Sequence, residues 1–123
     1  MNIAIDYIKD SGNLDKERIV FTVKNGEQLG KYLIAESVLL DNARFSAKIK
    51  NVFWFPDQEL KQGDVVVLYT KVGNKNSNKN EDGSTTYFYY WGLSEPHLND
   101  NKPCVVLFDA SWEVLAIQRN ETK

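Results

Sequence analysis

Cysteine and histidine each occur once in the 123-residue chain, as Cys104 and His97, and that scarcity removes several chemistries at the outset. A lone cysteine cannot close an internal disulfide, so packing has to hold the fold, and the chain is expected in a reducing, cytoplasmic compartment. Structural zinc needs three or four Cys and His ligands, which two residues cannot supply. A Ser-His-Asp or Cys-His centre has only His97 to use. That residue sits in Glu95-Pro96-His97-Leu98-Asn99-Asp100, a context that suits a loop histidine better than a general base. Cys104, followed by Val105-Val106-Leu107-Phe108, reads as a small strand residue facing a core rather than a reactive thiol. The chain lacks both the glycine fingerprint of dinucleotide binding and the Gly-Lys-Ser/Thr phosphate loop. It also lacks the roughly 18 consecutive apolar residues of a membrane span. The opening Met1-Asn2-Ile3-Ala4-Ile5-Asp6 has neither the basic start nor the apolar run of a signal peptide. No metal, cofactor or membrane insertion is expected, and no enzyme. Paired carboxylates alone stay open, because strands can bring any two acids together.

A strong charge of one sign is missing too. Fifteen Lys and Arg against 17 Asp and Glu leave −2, which argues against nucleic-acid or anionic-membrane binding by a broad basic surface. What is present is apolar area: 42% hydrophobic residues, with aromatics at 12%, is enough to bury a core, and the length fits one domain over residues 1–123.

The periodicity of that apolar area is two rather than 3.6. Ile3, Ile5 and Tyr7 alternate with Ala4 and Asp6. Ile19, Phe21 and Val23 line one face of a second strand that Asn25-Gly26 ends, and Tyr32 and Ile34 oppose Leu33 and Ala35 in a third. Ile49, Asn51, Phe53 and Phe55 oppose Lys50, Val52 and Trp54 until Pro56, with no amide hydrogen to donate, stops the pairing. Val65-Val66-Val67-Leu68-Tyr69-Thr70 is apolar on both faces and reads as a central strand. Thr85 to Tyr90 and Val105 to Phe108 continue the pattern, and Val114 to Ile117 reads as a last strand or, taken with Glu113 and Gln118, as a helical turn. Ala35 to Asn42 reads as a short helix or an irregular crossover. The expectation is an all-β, immunoglobulin-like β-sandwich of about eight short strands, with Val65, Val67, Leu107 and Trp54 largely buried.

Residues 73–84, rich in Asn, Lys and Gly, offer no core residue and read as a flexible polar hairpin loop. Asn76, Asn78 and Asn80 imitate the start of a calcium loop. The tight turn would fall on Glu81 and the closing carboxylate on Tyr87, so calcium is rejected. Lys71, Lys75 and Lys79 stand close to Tyr87-Phe88-Tyr89-Tyr90-Trp91. Cations beside rings can hold single-stranded nucleic acid through phosphate contact and base stacking. Against this, strand alternation sends at least one row of those rings into the core, and Glu81-Asp82 offsets the lysines.

The order of these signals resembles the lamin tail domain over roughly Glu17 to Arg119. Arg18 to Asn25 looks like that family's strand ending in Lys-Asn. Leu29-Gly30-Lys31-Tyr32 is similar to its Leu-Gly-x-Trp, with Tyr in place of Trp. Phe55-Pro56 followed by Leu60-Lys61-Gln62-Gly63-Asp64-Val65-Val66 is similar to its Phe-Pro and Leu-x-x-Gly-x-x-Val. Trp91, Asn99-Asp100, Val105 to Asp109 and Glu113 to Ala116 resemble the closing half. Leu98 stands where the family often has Trp, no Gly follows Asn99-Asp100, and Trp112 occupies a turn position that usually holds Gly. The resemblance implies an immunoglobulin-like sandwich with no shared catalytic constellation, acting as a non-catalytic interaction module.

The functional expectation is therefore a protein partner bound through surface loops, foremost Trp91 to Asn101, where His97 and Leu98 follow Pro96 at a loop tip and Trp91 is either a contact residue or a plug for the core. The alternative is single-stranded nucleic acid held by Lys71, Lys75, Lys79 and the adjacent Tyr87 and Tyr89.

Overall fold

The computed structural model describes residues 1–41, 44, 46, 48–94 and 103–117. His97 and Leu98 lie outside them. Among the described residues the chain is all-β, with one short 3-10 turn at Leu29–Lys31, and no helix is long and apolar enough to cross a membrane.

The larger sheet is built from β1 (Ile3–Lys9), β2 (Arg18–Val23), β7 (Val65–Tyr69), β9 (Thr85–Tyr90) and β8 (Asn76–Lys79), in the order β1-β2-β7-β9-β8. Its neighbours run antiparallel except β7 and β9, which are parallel because the chain leaves β7, forms the edge strand β8 and returns between them. The second sheet has the order β10-β4-β5, with β4 at Tyr32–Val38, β5 at Lys50–Trp54 and β10 at Pro103–Asp109. A two-residue ladder of β3 (Glu27–Gln28) and β6 (Glu59–Leu60) lies outside both.

One hydrophobic cluster joins the two main sheets. Ile19, Phe21, Val66 and Leu68 enter it from the larger sheet, and Tyr32 and Ile34 from the smaller. Alternation explains the rest, since residues out of phase with these point away from the core. Polar groups inside are answered: fully buried Glu17 accepts from the Thr70 hydroxyl at 2.6 Å and from the Gly12 amide at 2.9 Å, tying the β1–β2 turn to the end of β7.

The structure corrects several expectations. Asn76–Lys79 is a strand, because the odd-even row of Asn and Ser side chains costs nothing at a solvated edge while its backbone pairs with β9. Ala35 to Val38 is extended and continues β4. Val114 to Ile117 forms no strand: after Ala110 donates to the Lys31 carbonyl, Trp112 packs on Trp54 of β5, so the chain crosses away from β10, and Val114, Leu115 and Ile117 are exposed. Trp54 is itself 51% exposed. Phe53 and Phe55 take the inward positions of that segment, which leaves Trp54 the outward one. Of the other residues expected to be buried, Val67 is, whereas Val65 and Leu107 are half-buried.

Candidate functional site

The tyrosine and lysine residues singled out in the sequence divide between two faces. Tyr89 is buried, 4% exposed, with its ring edge-on to Phe55 at 5.6 Å, so it belongs to the core and has no free ring face on which a base could stack. That burial, with Tyr87 beside it, pushes the Tyr89 phenol up to about 12. Tyr87, Tyr89 and Lys75 do meet, with Gln58, Asn76 and Ser77, around a dimple of about 130 Å³. Ligand pockets usually start at about 300 Å³. Lys79 pairs with Thr85 farther along the edge, and the Lys71 ammonium lies on the opposite face, 5.1 Å from the Tyr69 ring centre. The three lysines therefore form no common patch with Tyr87 and Tyr89. Trp91 is half-buried against the core, its ring 6.2 Å from Phe53, and acts as an end plug.

The outward face of the larger sheet carries a second group of rings. Tyr69 stacks on Tyr90 at 5.4 Å and 11°, and on Phe88 at 6.5 Å. The Arg18 guanidinium lies 5.7 Å from the Tyr69 centre. Gly73 packs so closely on the Tyr90 ring that a Cβ there would collide with it, and the Tyr90 hydroxyl accepts from Asn76 at 3.3 Å. Much of this ring surface is already used within the fold.

The most open aromatic site is at the end of the smaller sheet. Trp54 and Trp112, 51% and 52% exposed, meet edge to face at 4.8 Å. With Gly30, Phe55, Pro56 and Asp57 they line a recess of about 360 Å³. The recess is assembled around Gly30. Its carbonyl accepts the Trp54 indole N–H at 2.6 Å, which orients the ring. Its missing side chain leaves the space that the Asp57 carboxyl group occupies, so any Cβ at residue 30 would collide with Asp57. Two further bonds hold the backbone here: Gln28 accepts from the Gly30 amide at 3.3 Å, and Leu29 donates to the Gln58 carbonyl at 2.9 Å. Among the described residues the exposed Asp57 carboxylate has neither a hydrogen bond nor an ion pair. Lys31, next in the chain, has its ammonium between Glu27 at 3.4 Å and Asp109 at 3.6 Å. The chemistry offered is thus two indoles and an unpaired negative charge.

No protein-family model matches the chain, and no curated protein matches it.

Proposed function

We propose that the chain is a non-catalytic interaction module, lamin-tail-like in kind, that binds a protein partner at the end of its smaller sheet. The observation that carries this reading is the half-exposed Trp54–Trp112 pair. Tryptophan is a costly residue to leave in water, and at interfaces it is enriched where a few contacts supply most of the binding free energy. The recess is framed by Trp54 at the end of β5, by the β5–β6 connection and by the segment after β10, so one contact residue stands on a strand and the others on the connections beside it. Val52, also exposed, extends the outward apolar surface along β5.

Quantitative capture from an extract of the source cells tests it. Wild-type protein and the Tyr69→Ser variant, changed on the larger sheet, should retain the same partner, and Trp54→Ser should lose most of it, on the order of tenfold or more for a contact at the centre of an interface. Equal recovery by Trp54→Ser would move the site elsewhere.

A second reading, single-stranded nucleic-acid binding, draws support from Arg18 and Lys71 over Tyr69 rather than from Lys75, Lys79, Tyr87 and Tyr89. It ranks second because the rings there stack on one another. Oligonucleotide binding that falls steeply with salt and disappears in Tyr69→Ser would favour it.

A further inference from the structure

We infer that the recess between Trp54, Trp112 and Asp57 receives an arginine side chain of the protein partner. This inference rests on the interaction-module reading and adds the chemical class of the contact. Three features of the recess select a cation with a flat, weakly hydrated head. Indole faces carry negative potential and attract cations, arginine more often than lysine. Asp57 supplies a carboxylate with no counter-ion among the described residues, and Lys31, the cation that follows Gly30 in the chain, is held by Glu27 and Asp109. A guanidinium can lie flat on one indole and present its N–H edge to a carboxylate in the same plane, which a compact ammonium cannot do. The aliphatic stem of the arginine has Pro56 and the ring edges of the tryptophans to pack on.

The position of the carboxylate depends on Gly30. Because residue 30 has no side chain, Asp57 folds over it, next to the indole that the Gly30 carbonyl orients. A neutral or acidic partner group would leave Asp57 without a counter-charge or repel it, so the recess discriminates by charge as well as by shape.

Capped amino acids test the inference without knowledge of the partner. N-acetyl-arginine amide and its neutral isostere N-acetyl-citrulline amide are titrated separately into ¹⁵N-labelled wild-type protein at constant ionic strength, with the three indole N–H signals followed by NMR. The arginine probe should shift the Trp54 and Trp112 signals saturably, with a dissociation constant on the order of 1–10 mM for so small a ligand. Trp91, packed on Phe53, serves as the internal reference and should not move. Citrulline should bind roughly fivefold or more weakly, and Asp57→Asn should weaken arginine to the citrulline level. Equal binding of the two probes, an unchanged arginine affinity in Asp57→Asn, or no saturable shift at Trp54 and Trp112 would each overturn the inference. If the probes fail while capture of the partner still depends on Trp54, the arginine assignment falls and the interaction-module reading stands. If capture also ignores Trp54, both fall.

Discussion

Phe55→Ala is expected to lower the unfolding free energy by about 3–5 kcal/mol, the largest loss for any single truncation considered in this chain. Phe55 is 1% exposed and stands just beyond β5, where its amide donates to the Tyr32 carbonyl at 3.2 Å. Its ring meets three others edge to face: Phe21 of β2 at 5.5 Å, Phe53 of β5 at 5.2 Å and Tyr89 of β9 at 5.6 Å. One side chain thus joins both main sheets, and truncation removes the buried area, opens a cavity and orphans three ring contacts together. A domain of this size holds only about 6–18 kcal/mol in total by per-residue scaling. Chemical denaturation should show a much lower midpoint with an unchanged slope. A loss below about 1 kcal/mol would show that the ring cluster is not the centre of the core.

Asp64→Ala should follow, at about 2–3 kcal/mol, through hydrogen bonds rather than packing. The buried Asp64 carboxylate accepts from the Lys61 amide at 2.8 Å and from the Thr85 amide at 3.0 Å, closing the turn into β7 with one oxygen and fastening the start of β9 with the other. Gly63, at φ +90, lets the backbone make that turn. Alanine would leave both amides without their acceptor. Asn, which keeps a carbonyl oxygen but not the charge, should recover part of the loss. Equal stability of Asp64→Ala and wild type in the same denaturation assay would mean that water replaces the carboxylate at no cost.

The strands were readable where one face is dry. Ile19, Phe21 and Val23 alternate because β2 has one face on the core, and Val65 to Tyr69 is apolar throughout because β7 is paired on both sides within the larger sheet. Sequence reasoning went astray where size was taken for burial. Trp54 is the largest apolar residue of its segment, yet the parity of Phe53 and Phe55 already required it to face out, and that parity was the available signal for an exposed aromatic site. Strand β8 was hidden because an edge strand with two solvated faces needs no apolar residue. The β-like pattern of Val114 to Ile117 was misleading because local alternation does not say whether a partner strand is within reach. The recess itself joins Gly30, Trp54, Asp57 and Trp112 across the β4–β5 pairing and the crossing after β10, and no local pattern shows such a juxtaposition. A tryptophan at position 112, where the sequence reads as a turn, was the second hint.

The central claim is that the Trp54–Trp112 pair serves a partner and not the fold, and thermal unfolding of the Trp54→Ala, Trp112→Ala double variant, measured beside Phe55→Ala, tests it most directly. Both indoles are half in water, and the pair gives the fold mainly one hydrogen bond to Gly30 and one ring contact. The account predicts a midpoint within about 5 °C of wild type. A fall as large as that of Phe55→Ala would contradict it and make the two tryptophans part of the core.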